Sequence, residues 1–218
     1  MTDPLVELHG ITCGYPGRAP VLDGLDLVLR AGERVAVSGP NGSGKTTLLH
    51  LIPGLLRPTA GSITVLGRAC TCEKDFQAVR GPVGLQFQDA DDQLFCPTVG
   101  EDVAFGPLNL GRSPADVRRL VAGALAQVGL TGYDDRVPYR LSTGEKRLVG
   151  LAAVLAMEPR VLLLDEPVAG LDEPMHERVL DVLRRQDAAQ LVVSHDAAFR
   201  RGLATRALVL DAGRLTPA

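Results

Sequence analysis

The alternation of apolar and polar residues predicts two kinds of β-strand. Residues 5–9 and 25–29 alternate or nearly alternate, as antiparallel strands with one buried face do. Residues 34–38, 161–164 and 190–194 are instead short apolar runs, which are typical of parallel strands covered on both faces. The two patterns together predict a mixed central sheet with an N-terminal antiparallel β subdomain.

Helical patterns are concentrated in the middle of the chain. Ser113 is a suitable N-cap, Pro114 follows at the first helical position, and Gly129 is a plausible stop. Between them, apolar residues recur on one helical face at Val117, Leu120, Val121, Ala124, Leu125 and Val128. Residues 148–157 are apolar nearly all round, which predicts a buried helix. We therefore expect an α/β fold with one domain over residues 1–218 and an inserted helical subdomain over about 89–158.

Composition narrows the class of protein. The 218 residues are 45% hydrophobic, enough for a sizeable core, and the formal net charge of −3 argues against a nucleic-acid partner. No apolar run approaches the roughly 18–20 residues that span a bilayer, and residues 1–10 lack the pattern of a signal peptide. We expect the chain to remain in the cytoplasm.

The four cysteines do not suggest a disulfide framework or a metal site. Cys13, Cys70, Cys72 and Cys96 are few and scattered, as in proteins of a reducing compartment. Cys70 and Cys72 could form a metal clip, but one intervening residue is poor zinc spacing. Ordinary thiols are the favoured interpretation.

A glycine-rich segment matches the phosphate-binding pattern G-x-x-x-x-G-K-[ST]. The match consists of Gly39, Pro40, Asn41, Gly42, Ser43, Gly44, Lys45 and Thr46. It lies between a predicted buried strand and an apolar helix that begins near Thr47, which is the context the motif requires. Backbone N–H groups and Lys45 would bind the phosphates of ATP, and the Thr46 hydroxyl would ligate Mg²⁺. An ordinary glycine-rich turn is the disfavoured alternative.

Two acids end the apolar run at 161–164. Asp165 and Glu166 would lie at the carboxyl edge of the sheet, where open α/β sheets bind ligands. Asp165 is expected to hold Mg²⁺, directly or through water. Glu166 is the candidate general base that polarises the attacking water. Without the phosphate loop, the same acids would be more simply interpreted as a solvated loop or a helix cap.

A third segment, Leu141, Ser142, Thr143, Gly144 and Glu145, has two interpretations. Ser142 with Glu145 three residues later is a capping box that would begin the buried helix. A helix N-terminus with a small hydroxyl residue and a glycine is also a receptor for a γ-phosphate.

With this segment the chain resembles the ATP-binding-cassette superfamily, whose signature loop is usually Leu-Ser-Gly-Gly-Gln. Thr143 and Glu145 depart from that pattern. The resemblance implies a P-loop NTPase fold and an ATPase, with two chains binding ATP head to tail. Ser142 and Gly144 of one chain would complete the site built by Lys45 and Glu166 of the other. Four further roles are implied, all by position in the family's order: Gln88 as the Q-loop glutamine that touches Mg²⁺, Asp172 in the D-loop, His195 as the switch histidine, and Tyr15 as the aromatic stacked on adenine.

The chain resembles the ATPase subunits of energy-coupling-factor importers over residues 87–95 and 98–110. It resembles the cobalt and nickel uptake branch of that group over 141–147 and 155–159. This implies an ATPase at the cytoplasmic face of the membrane that drives import of a metal cation or a vitamin. The alternative is an ATPase switch on a soluble or chromosomal assembly. A monomeric small-molecule kinase is disfavoured, because the signature helix and His195 would then have no role.

A surface for the transmembrane partner is expected just after Gln88. Acidic residues there adjoin apolar ones, which suits a partner helix that has a basic and an apolar side. The residues expected to form this groove are Asp91, Asp92, Gln93 and Phe95. A solvated acidic turn is the alternative.

Overall fold

The computed structural model describes residues 3–15, 17 and 19–218. Two β-sheets organise the fold. The first has four antiparallel strands: β1 (Pro4–Cys13), β2 (Leu22–Arg30), β4 (Ala60–Val65) and β5 (Arg68–Ala69), in the order β2-β1-β4-β5. This sheet confirms the antiparallel strands predicted near residues 5–9 and 25–29.

The second sheet has six strands and carries the candidate site. Its strands are β3 (Arg34–Ser38), β6 (Val83–Gln86), β7 (Val161–Asp165), β8 (Ala189–Val193), β9 (Arg206–Asp211) and β10 (Arg214–Pro217). The order is β10-β9-β3-β8-β7-β6, and β10 is antiparallel to β9 while the other neighbours are parallel. The predicted mixed central sheet is therefore confirmed.

Seven α-helices complete the described part of the chain. They are α1 (Lys45–Leu51), α2 (Glu73–Val79), α3 (Val99–Asn109), α4 (Pro114–Gln127), α5 (Thr143–Leu155), α6 (Glu173–Arg184) and α7 (Ala197–Leu203). Helices α3, α4 and α5 lie between β6 and β7 in the chain, and Ser113 caps α4 as predicted by accepting from the Asp116 N–H. Helix α5 begins five residues before the apolar run at 148–157, because the Ser142–Glu145 capping box starts it.

Strand β7 separates two hydrophobic cores. Val161 and Leu163 belong to the core that the antiparallel sheet and α1 share, whereas Leu162 and Leu164 belong to the core packed by α3 to α7. Successive strand residues point to opposite faces, so the apolar run is buried on both sides. Burial of the whole strand holds Asp165 and Glu166 at its carboxyl end.

Within the described residues, no helix is long and apolar enough to cross a membrane. All four cysteines are unpaired, and Cys13 and Cys70 are buried.

Candidate nucleotide site

The loop between β3 and α1 has the backbone geometry of a phosphate-binding loop. Gly39 has φ of 152°, and a Cβ atom there would lie 2.1 Å from the Leu210 carbonyl oxygen. Gly44 has φ of 103°, and its Cβ would lie 2.7 Å from a Val21 methyl group. Both positions therefore require glycine. Helix α1 begins after Gly44, and no side chain among the described residues caps its first N–H groups.

Two polar side chains in this loop are prepared for an anion. The Lys45 ammonium donates to the carbonyl oxygens of Gly39 and Pro40, each at 2.9 Å, which holds the cation over the loop. The buried Ser43 hydroxyl has no hydrogen-bond partner among the described residues. A buried polar group without a partner costs free energy, and a phosphate oxygen would supply the partner.

Thr46 and Asp165 form the oxygen pair expected to hold Mg²⁺. The Thr46 hydroxyl donates to Asp165 Oδ2 at 2.7 Å, so the loop and the end of β7 meet at these atoms. Burial raises the pKa of Asp165, while the bond from Thr46 and the charges of His50 and Lys45 act in the opposite direction. In the described part of the chain, no three His, Cys, Asp or Glu side chains gather as a metal site. One carboxylate and one hydroxyl fit Mg²⁺, which usually takes few protein ligands and completes its shell with phosphate and water.

Glu166 is held in a strained conformation by its neighbours. It has φ of +48° although it is not glycine, a conformation that costs about 1–3 kcal/mol. Its N–H donates to the Val193 carbonyl at 2.9 Å, and its carbonyl accepts from Arg147 Nη1 at 2.9 Å. The His195 N–H donates to Glu166 Oε2 at 3.1 Å, and His195 Nε2 lies 3.6 Å from Oε1. The buried Oε1 accepts no hydrogen bond from the described residues, so it is a buried acceptor without a hydrogen-bond partner.

Arg147 and Gln86 belong to this site although the sequence analysis did not single them out. The Gln86 amide donates to the Arg147 carbonyl at 3.1 Å, and Arg147 in turn holds the backbone of Glu166. Burial lowers the pKa of Arg147, partly offset by the charges of Asp89 and Glu166. The sequence feature that could have pointed to Arg147 is its position, two residues after Glu145 and at the start of an apolar helix.

The other residues predicted to act at the nucleotide, Tyr15, Gln88 and Asp172, have few or no hydrogen bonds to the phosphate loop among the described residues. The Tyr15 hydroxyl lies 3.4 Å from the Thr47 hydroxyl, which places the half-exposed ring beside the phosphate loop. Gln88 is exposed and makes no hydrogen bond with the described residues, so its role at Mg²⁺ stays a prediction. Asp172 caps α6 by accepting from the Met175 N–H at 3.0 Å.

The signature segment forms the predicted capping box. The Glu145 N–H donates to Ser142 Oγ at 3.3 Å, and Glu145 Oε2 accepts from the Ser142 N–H at 2.9 Å. Leu141 is buried and Thr143 exposed, and a Cβ added at Gly144 would lie 3.3 Å from Met175 of α6. Among the described residues, no hydrogen bond or ion pair joins this segment to the phosphate loop.

An apolar groove of about 470 Å³ lies beside α3 and α5. Phe95 and Phe105 pack edge to face in its wall with ring centroids 4.9 Å apart, and Asp92 also lines it. Gln93 lines the groove as well, but its amide is bonded to the backbone of Phe87 and Gly150. Asp91, which was expected in the groove, lies outside its lining and pairs with Lys146 at 2.6 Å.

Comparison with known proteins decides the family. The sequence profile described as "ABC transporter" matches residues 22–169, more than half of the chain. The chain belongs to the ABC transporter family. This ABC chain is 43% identical over 215 residues to the energy-coupling factor transporter ATP-binding protein EcfA of Methanothermobacter thermautotrophicus, covering 97% of this chain and 69% of that protein.

Solved structures agree with this assignment. CbiO1 from Clostridium perfringens, described as part of the ABC transporter complex CbiONQ, superimposes with a TM-score of 0.88 at 31% identity and covers 98% of this chain and 87% of that chain. The ATP-binding cassette MJ0796, in a dimeric post-hydrolysis state with ADP and phosphate, has a TM-score of 0.89 at 25% identity and covers 97% and 98%. The ABC chain is thus an ATPase and the ATP-binding subunit of an ABC transporter.

Proposed function

We propose that this ABC ATPase energises an energy-coupling-factor-type importer of a transition-metal cation, cobalt or nickel, or of a vitamin. The observation that carries the two-chain part of this proposal is the separation, within one chain, of the two helix starts that we expect to receive phosphate. At the start of α1, Thr46 is bonded to Asp165 at the end of β7, whereas among the described residues no hydrogen bond or ion pair joins the first turn of α5, at 142–145, to the phosphate loop. Two copies, or this chain and a similar one, would therefore complete each nucleotide site by pairing α1 of one with α5 of the other.

Each residue of the completed site has a distinct role. The loop N–H groups and Lys45 would bind the triphosphate, while Thr46 and Asp165 would hold Mg²⁺, with Gln88 reaching it after a movement of its segment. When bound, the metal neutralises charge on the phosphate oxygens. Glu166 accepts a proton from the attacking water, and His195 steadies the Glu166 carboxylate from its 3.6 Å position. Tyr15 would stack on adenine, and Asp172 would orient the D-loop between the two chains.

The groove beside α3 and α5 is the proposed docking site for a transmembrane subunit. Its phenylalanine wall offers apolar contact, and Asp92 offers a charge that would fix the orientation of a basic partner helix. Since Asp91 is already paired with Lys146, Asp92 is the acid available to the partner. In this proposal the chain acts at the cytoplasmic face of the membrane.

The importer class is supported by the relatives that carry it in their names. EcfA is an energy-coupling factor ATP-binding protein and CbiO1 is part of CbiONQ. A gene-deletion strain of the source organism would test the solute class directly. We expect uptake of radiolabelled cobalt, nickel or a vitamin to fall and to be restored by the wild-type gene but not by Glu166→Gln. Unchanged uptake of all these solutes would contradict the importer proposal.

Docking needs its own experiment. We expect Asp92→Lys to reduce recovery of membrane proteins with the tagged chain from detergent-solubilised membranes, without changing ATP affinity. Asp187→Lys, at an exposed acid that lines a different cavity, is the matched control. Full recovery of membrane partners with Asp92→Lys would exclude this groove, and recovery of only soluble partners with the wild type would favour a non-transport assembly.

A further inference from the structure

The start of α5 is occupied by a carboxylate that accepts hydrogen bonds on both of its oxygens. Glu145 Oε2 accepts from the Ser142 N–H and from the Ser142 hydroxyl, each at 2.9 Å. Its other oxygen, Oε1, accepts from the Tyr133 hydroxyl at 2.7 Å and lies 4.0 Å from Arg136 Nη1. We refer to Tyr133, Arg136, Ser142 and Glu145 as the Glu145 cluster.

A capping box alone does not need this arrangement. At the start of α3, Thr98 and Glu101 exchange the two reciprocal bonds of a capping box at 3.1 and 3.3 Å. Among the described residues, Glu101 accepts from no tyrosine and pairs with no arginine. Tyr133 and Arg136 are therefore additions to the Glu145 box, and Arg136 also stacks 3.6 Å above the Tyr133 ring. They hold the carboxylate in one position beside the Ser142 hydroxyl.

The cluster keeps Glu145 negatively charged. The Ser142 N–H, the Tyr133 hydroxyl and the Ser142 hydroxyl all lower the pKa of Glu145, so the carboxylate is ionised at neutral pH. This charge occupies the positive end of the α5 dipole, which is the position that attracts an anion. The hydroxyl hydrogen of Ser142 is also committed to Glu145.

We propose that the Glu145 carboxylate competes with the γ-phosphate for the Ser142 hydroxyl and for the positive end of α5. This competition sets how readily two nucleotide-bound chains associate into a closed dimer. The inference rests on the proposed function, in which α5 of one chain meets the nucleotide of another. Closure requires the Ser142 hydroxyl to turn from the carboxylate to the phosphate, and it brings two negative groups together. Arg136 and Tyr133 reduce the resulting repulsion, because one supplies a positive charge and the other a donor.

Glu145→Gln separates this role from helix capping. A glutamine oxygen can still accept from the Ser142 N–H, and its amide N–H can donate to the Tyr133 oxygen, so the box survives. Only the negative charge is removed. We expect ATP-dependent association to strengthen by on the order of tenfold, and the gain to shrink at high ionic strength because salt screens the repulsion.

The test uses the full chain in the Glu166→Gln background, where slow hydrolysis keeps the ATP-bound state. Sedimentation velocity with Mg-ATP would measure the dimer dissociation constant at low and high salt for the parent, Glu145→Gln and the matched control Glu101→Gln. The inference predicts a lower constant for Glu145→Gln alone, with thermal melting showing that all three are folded. An unchanged or higher constant for Glu145→Gln, beside a parent that dimerises, would overturn the competitor role and leave the proposed function standing. No ATP-driven dimer in any of the three would overturn the closure of two copies of this chain, and with it the competitor role, while leaving a pair with a similar chain to be tested by uptake.

Discussion

Helices α1 and α5 begin in opposite ways although both present a positive N-terminal end. Gly44 precedes α1 with no side-chain cap, and the Lys45 ammonium rests on loop carbonyls. Ser142 precedes α5 with a complete capping box, and Glu145 fills the place that an anion would take. The uncapped N-terminus of α1 can bind phosphate without rearrangement. At the capped N-terminus of α5, the Ser142 hydroxyl must first break its hydrogen bond to the Glu145 carboxylate. The free chain is thus prepared for nucleotide at α1 and closed at α5.

The largest effect is expected from blocking the α5 end. Ser142→Arg should abolish hydrolysis, because a long cation replaces the small hydroxyl where the second chain's nucleotide would arrive. ATP binding at α1 should be retained, since among the described residues no hydrogen bond or ion pair joins Ser142 to the phosphate loop. Ser113→Arg, which removes the N-cap of α4, is the matched control and should cost only about 1 kcal/mol of stability. Loss of ATP binding in Ser142→Arg would contradict the separation of the two ends.

The second-largest effect is expected from replacing Glu166, the proposed general base. Glu166→Gln should slow hydrolysis by about 10²–10⁴-fold while ATP still binds, because the amide preserves size but cannot accept a proton from water. Steady-state phosphate release and nucleotide titration would measure the two properties separately. Glu173→Gln, at an exposed acid in the first turn of α6, should leave both unchanged. Hydrolysis near the wild-type rate would remove Glu166 from the base role.

Removing the cation at α1 should weaken nucleotide binding itself. Lys45→Ala deletes a charged donor to the phosphates, and we expect ATP affinity to fall by roughly 10–100-fold. Lys74→Ala in α2, an exposed lysine, controls for the loss of one positive charge. Equal affinity of Lys45→Ala and the wild type in a fluorescent-nucleotide titration would show that the loop binds without this ammonium.

The smallest effect is expected at Thr143. This exposed residue is the first of α5 and stands where glycine is usual in the family it resembles. Thr143→Gly should lower the free energy of unfolding by less than about 1 kcal/mol, because glycine is a poorer helix former. It should also strengthen ATP-dependent dimerisation a few-fold by removing a β-branched side chain from the closing surface. Weaker dimerisation in a stably folded variant would show that the threonine contributes to the contact.

Local patterns in the sequence were sufficient to predict the strands that end at the site, the serine cap that starts α4 and the capping box that starts α5. An apolar run, a glycine loop and a serine three residues before an acid each act over a few residues. Contacts between distant segments could not be predicted in this way. Lys146 pairs with Asp91 across 55 positions, and Arg147 reaches the Glu166 carbonyl across 19. The sequence therefore could not predict which acidic residues were available to a partner protein. The ion pair of Asp91 with Lys146 is an example.

Complementation between two inactive variants tests the two-chain site most directly. In a head-to-tail pair of Lys45→Ala with Ser142→Arg, one nucleotide site has both intact residues and the other collects both changes. With random pairing in an equal mixture, half of the dimers are mixed and each has one of its two sites intact. The mixture should therefore hydrolyse ATP at about one quarter of the wild-type rate per chain. We predict this recovery, and it should grow with total protein concentration. Hydrolysis by the mixture no greater than the sum of the two separate variants, with mixed dimers present, would contradict a site shared between two chains.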